Sequence, residues 1–231
     1  MWGGSILPDK DEKFYTGHRE RLREKFVSNQ LADYEKLELL LGYAIPRRDV
    51  RPLARSLVKE FGGVYQVLTA SIDDLVKVKG VGRNTAIFLK VVQQMMQIGY
   101  MGQLKESPVF HDEKILHNYC RVVLSGKQVE ELHVLYLDTN LKLIADDVHT
   151  TGTVDTSAIY PREIARRALQ LNARSIVMVH NHPTSVNSFS ADDVAVTTQV
   201  KMVLATLDIA LYDHLLVAND SVYSMRAMHL I

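Results

Sequence analysis

Ser175-Ile176-Val177-Met178-Val179 is an unbroken apolar run that ends in His180-Asn181-His182-Pro183. A run of this length bounded by polar residues reads as a buried strand, which commits this part of the chain to a layered domain of strands and helices. Residues i and i+2 of a strand project to the same side, so the two imidazoles can reach one ion. Eleven residues after His182, Asp193 opens a predicted helix and can return a carboxylate to that ion. Two histidine nitrogens, one carboxylate oxygen and one open position describe a catalytic rather than a structural zinc site. The open position suits a water whose pKa the metal lowers. Each part also has a plainer reading. A His-x-His pair can simply hydrogen-bond at a strand end, and Ser190-x-x-Asp193 ahead of a helix is a capping-box start.

Composition narrows the field. The chain has 231 residues, 47% hydrophobic and 23% charged, which suits one or two globular domains. No run of 18 apolar residues occurs, so no membrane span is expected. The opening Met1-Trp2-Gly3-Gly4-Ser5-Ile6-Leu7-Pro8-Asp9-Lys10 lacks the basic and apolar regions of a secretory signal. Cys120 is the sole cysteine, which leaves no internal disulfide and fits a reducing cytoplasm. It also excludes cysteine-based zinc fingers and the zinc deaminases, whose P-C-x-x-C needs a cysteine pair. Net charge is zero but uneven. Residues 1–105 hold 17 Lys and Arg against 12 Asp and Glu, and residues 106–231 hold 10 against 15. The basic first half permits contact with nucleic acid.

In chain order, residues 1–16 read as polar and irregular, and Gly17 to Asn29 as a solvated helix of mixed charge. Helical spacing recurs in residues 32–45 and again from Val50 to Phe61, where Gly62-Gly63 ends it. Ser71 caps the next helix. Val76 to Ala86 then reads helix, Gly80-Val81-Gly82 turn, helix, which is the pattern of a helix-hairpin-helix. Backbone N–H groups of such a turn can grip a phosphate, and Lys79, Gly80, Gly82 and Arg83 are the candidate DNA-binding residues. The plainer alternative is a glycine C-cap between packed helices.

A helix is expected to run on to Gly99 or Gly102, with a linker over Gln103 to Pro108. This divides the chain into residues 1–105 and 106–231. The second part reads as a helix over Asp112 to Leu124 and strands over Glu130 to Asp138 and Leu141 to Val148. A loop over Thr150 to Thr153 and a helix from Pro161 precede the apolar strand. After the His-x-His loop come a helix from Ala191 to Leu207 and a closing hairpin over Asp213 to Met225.

The full spacing, H-x-H-P-x(6)-S-x-x-D, resembles the JAB/JAMM metalloprotease motif of the MPN superfamily. Val78 to Ala86, Thr151-Gly152-Thr153, Tyr160-Pro161-Arg162-Glu163, His180-Asn181-His182-Pro183 and Leu211-Tyr212-Asp213-His214 follow the order seen in the bacterial RadC family. That resemblance covers about residues 20–231. It implies an α+β protein, an N-terminal all-α helix-hairpin-helix domain followed by a mixed α/β MPN (JAB/JAMM) domain. It implies one Zn2+ per chain on His180, His182 and Asp193, with Asp192 as the alternative carboxylate. It implies a base glutamate eight residues before Asp138, which selects Glu130 over Glu131, and an oxyanion donor in Ser190. His214 and Asp213 are a candidate supporting pair.

The chain departs from the family's pattern at Pro183-Thr184-Ser185, where a glycine is usual, and at Asn187-Ser188-Phe189, where a proline-rich turn is usual. The implied activity is hydrolysis of peptide or isopeptide bonds on an unspecified protein or peptide, associated with DNA repair. The alternative is a DNA-binding repair or recombination accessory protein whose metal site is structural or non-proteolytic.

Overall fold

The computed structural model describes residues 10–151, 160–184 and 186–231, with side chains from residue 17 onward except at 150 and 151. Two compact units make up the chain, Met1–Val92 and Gln93–Ile231. The architecture is α+β, a helical region followed by a mixed sheet with helices.

The first unit contains α1 (Lys10–Val27), α2 (Asp33–Ala44), α3 (Arg51–Phe61), α4 (Val64–Thr69), α5 (Ile72–Lys77) and the start of α6 (Arg83–Glu106). Leu41, Leu57, Leu75 and Leu89 are fully buried at its centre. The helix α1 begins at Lys10, so the irregular stretch expected through residue 16 is shorter. Its charges are not all solvated either. His18 Nε2 lies 2.7 Å from Glu38 Oε1, and Arg19 donates to the carbonyls of Ile45, Pro46 and Arg48. Those carbonyls belong to the C-cap residue Ile45 and to the turn after α2, so Arg19 ties α1 to that turn.

The helix α6 passes Gly99 and Gly102 and ends at Glu106, so the linker expected from Gln103 is helical at first. The units divide inside this helix, whereas residue 105 lies near its end. Each interior glycine costs roughly 1 kcal/mol of helix stability. Anchors on the same helix offset that. Gln93 Nε2 donates to Val122 O at 2.7 Å, and Leu104 is 2% exposed.

The second unit adds α7 (Glu113–Leu124), β1 (Glu131–Leu137), β2 (Leu143–Thr151), α8 (Pro161–Gln170), β3 (Ser175–Asn181), α9 (Ala191–Ala205), β4 (Ala210–Ala218) and β5 (Ser221–Ser224). The strands form one sheet in the order β2-β1-β3-β4-β5, antiparallel except for the parallel pair β3–β4. Leu135, Leu137, Val177 and Val179 face α7 on one side; Val134, Tyr136, Ile176 and Met178 pack with α8 and α9 residues on the other. The strand β2 starts at Leu143 because Leu141 takes a turn conformation (φ 59°), and it continues through Thr150 and Thr151, expected as loop. Gly152, Thr153 and Ser185 lie outside the described residues. Among the described residues no helix is long and apolar enough to cross a membrane.

Topology places the site. A parallel pair cannot be closed by a tight turn and needs a crossover. Here the crossover from β3 to β4 is the His182–Ser190 loop and α9, leaving from the carboxyl end of β3, where ligands of open α/β sheets collect. The strand β1 runs antiparallel to β3 with Leu132 opposite His180. Its first residues therefore lie beside the last ones of β3.

Candidate metal centre

Glu130, His180, His182 and Asp193 converge, with one ligand atom of each within 4.8 Å of all the others. His180 ends the α9-facing row of β3 that contains Ile176 and Met178, and His182 follows two residues on. Their Nε2 atoms are 3.1 Å apart. Asp193 reaches them from the first turn of α9, its Oδ1 3.6 Å from His180 Nε2 and its Oδ2 3.7 Å from His182 Nε2. His182 Nδ1 donates to Val186 O at 3.0 Å, which leaves Nε2 as its acceptor nitrogen. His180 is 2% exposed. Burial lowers its imidazole pKa to about 4, against an upward pull from Asp193 and with a further push down from His182. At neutral pH its lone pair is therefore available. Two imidazole nitrogens and a carboxylate oxygen are a donor set that suits zinc.

The choice between Glu130 and Glu131 follows from the register. Leu132 belongs to the face covered by α8 and α9, so Glu130, two residues earlier, belongs to that face too. Glu131 turns the other way, where Lys127 Nζ and His133 Nε2 meet its carboxylate at 3.1 and 3.5 Å. Desolvation raises the Glu130 pKa, with His182 pulling it down and Asp193 pushing it up. Asn181, between the two histidines, holds the peptide groups on either side of this residue. Its Nδ2 donates to Val129 O at 3.1 Å and its Oδ1 accepts from Glu131 N at 2.9 Å. One side chain thus ties the His-x-His segment to the backbone around Glu130.

Ser190 is the N-cap of α9. Its Oγ accepts from Asp193 N at 3.0 Å and donates to Asp193 Oδ2 at 2.7 Å, while Ser190 N donates to the same oxygen. In this arrangement its hydroxyl orients the Asp193 carboxylate; as an oxyanion donor it would have to rotate. Asp192 is exposed and outside the cluster. The candidate pair Asp213–His214 separates by strand alternation. His214 Nε2 lies 2.8 Å from His180 Nδ1, whereas Asp213 accepts from Ser224 Oγ and Arg226 N and fastens the closing hairpin. Phe189, one of the departures from the family's pattern, stands 5.8 Å from the His180 ring and 5.7 Å from His214, shielding both.

Lys79, Gly80, Gly82 and Arg83 sit in the first unit, at the turn between α5 and α6. Gly80 has φ +100°, a conformation side chains rarely adopt, and a Cβ at Gly82 would meet nothing within 4 Å. Lys79 and Arg83 are exposed.

Comparison with known proteins agrees with this layout. A family profile described as RadC-like JAB domain matches residues 110–230, and one described as UPF0758 N-terminal matches residues 16–87. A UPF0758 protein of Ruegeria pomeroyi is 39% identical over 213 residues, 91% of this chain and 95% of the relative. A UPF0758 protein of Fusobacterium nucleatum is 36% identical over 223 residues, 92% of this chain and 96% of the relative.

Proposed function

The chain belongs to the RadC-like JAB family, with a UPF0758 N-terminal domain, and from its site we propose a metal-dependent hydrolase of peptide or isopeptide bonds holding one zinc ion. The observation that carries this reading is the placement of Glu130. A structural site needs ligands only. Here a fourth group, a second carboxylate with a raised pKa, stands within the same 4.8 Å cluster as His180, His182 and Asp193.

A divalent cation bound by those three residues supplies Lewis acidity toward a carbonyl oxygen and makes water a stronger acid. The protein's own part divides among the side chains. His180 and His182 present their Nε2 nitrogens, and Asp193 compensates charge from a helix start. Glu130 accepts a proton from the attacking water and returns it to the leaving nitrogen, a task that favours a carboxyl whose pKa is drawn toward neutrality. Asn181 keeps the backbone at Glu130 in place, and Ser190 is the candidate donor to the developing oxyanion. One buried cysteine suits a reducing cytoplasm.

The test is metal per chain in the purified protein. Wild type is expected to hold about one zinc, the stoichiometry of a catalytic site. His182→Ala should lose it, and Glu130→Gln should keep it while hydrolysis disappears. Wild-type protein without metal overturns the reading, and loss of metal in Glu130→Gln makes Glu130 a ligand instead of a base.

A second reading, a DNA-binding module linked to repair, draws on the α5–α6 turn. The positive φ of Gly80, the open space at Gly82 and the exposed Lys79 and Arg83 suit the approach of a phosphate.

A further inference from the structure

We propose that Thr197 and His214 are positioning residues that fix which nitrogen of His180 faces the metal centre; this rests on the metal-site reading above. A backbone carbonyl oxygen can only accept a hydrogen bond. Thr197 Oγ donates its single proton to Asp193 O at 2.5 Å. With that proton committed, the 2.6 Å contact between Thr197 Oγ and His214 Nδ1 requires Nδ1 to be the donor. His214 is 1% exposed, and in an imidazole whose one proton sits on Nδ1 the other nitrogen is an acceptor. Nε2 of His214 then accepts from His180 Nδ1 across 2.8 Å. His180 keeps its proton on Nδ1 and turns the Nε2 lone pair toward His182 and Asp193.

The relay matters because the other tautomer of His180 would put a proton where the ion binds. The hydrogen bond made by one ring nitrogen sets which one is free to ligate. His182 reaches the same state locally, through Val186 O. The two Nε2 atoms stand 3.1 Å apart, so a proton on either one would compete with a cation that the pair would hold. Thr197 and Asp193 lie one turn apart on α9, so the same helix supplies both a ligand and the end of the relay. Thr197 is fully buried, and its hydroxyl would be costly there without these two partners.

The experiment measures zinc affinity by competition with a chromophoric chelator, using the full-length wild type, Thr197→Val and Thr197→Ser. Removing the hydroxyl without changing shape should weaken zinc binding by about 10- to 100-fold, the usual cost of losing such a support. Thr197→Ser should bind near the wild-type level. Melting temperatures of the metal-free proteins separate packing from positioning, because a packing role changes melting without changing affinity. Affinity in Thr197→Val within about twofold of wild type overturns the relay, while a wild type that takes up no zinc overturns the underlying site instead. Should Thr197→Val fail to fold, histidine 15N NMR on metal-free wild type decides the matter. A proton on His180 Nδ1 is expected; a proton on Nε2 refutes the proposal.

Discussion

Ser190 and Asp193 bond to each other through three hydrogen bonds, and these serve both the capping reading and the ligand reading of the motif. The cap supplies an acceptor for an N–H at the start of α9; the same hydroxyl proton holds the carboxylate that points at the histidines. Ser190→Ala is therefore expected to cost about 1 kcal/mol of stability and to weaken zinc binding. Glycine is a tolerable N-cap, costing only a few tenths of a kcal/mol. Ser190→Gly should thus recover most of the stability but none of the lost zinc affinity. Urea denaturation and chelator competition on the two variants separate the effects, and equal recovery of both in Ser190→Gly would reduce Ser190 to a cap. Asn181 is a similar case at the same scale. Its side chain acts through the backbone on either side of Glu130.

Among elements, the counterpart of the metal site is the buried polar contact between α7, β1 and β2. His133 Nδ1 lies 2.8 Å from Asp146 Oδ1, Tyr119 donates to Asp146 Oδ2, and Glu131 flanks the other side of the ring. Burial alone lowers the His133 pKa, but Asp146 and then Glu131 outweigh it and the net shift is upward. A histidine whose folded pKa is raised gives its full stabilisation below the unfolded value, about 6.5. It loses that stabilisation as pH rises through the folded pKa. Urea denaturation of wild type across pH 6 to 9 should show stability declining through this window, and His133→Gln should flatten the decline. An unchanged slope in the variant would remove His133 as its source. The contact also holds Glu131 on the far side of the sheet, leaving Glu130 to the site.

At the scale of the whole molecule, the basic first half and the acidic second half follow the division between helical and sheet-containing parts. Duplex and branched DNA offer the test of the hairpin reading. Binding should weaken steeply with salt, and Arg83→Ala or Lys79→Ala should each reduce the salt slope by about 1. Wild-type binding absent at low salt would leave the α5–α6 turn as a packing element.

Much of this protein was legible in the chain because the signals are local. A strand's period of two puts His180 and His182 on one side, and a helix start announces itself through Ser190 and Asp193. Gly80 marks a turn that only a positive φ can make. Alternation says only that Glu130 and Glu131 differ, and the spacing shared with the RadC family pointed to Glu130; the antiparallel register of β1 on β3 is what brings Glu130 to the cluster. Thr197 had no signal at all, being an ordinary helical residue in sequence, and His214 was named only together with Asp213 as a candidate supporting pair. The parallel pairing of β3 with β4 and the packing of α9 across it bring both to His180. Donor types and their local spacing belong to the sequence because they depend on neighbours a few bonds away. The convergence of Glu130, Thr197 and His214 on the two histidines belongs to the tertiary structure, because register and packing join residues whose separation along the chain leaves no periodic trace.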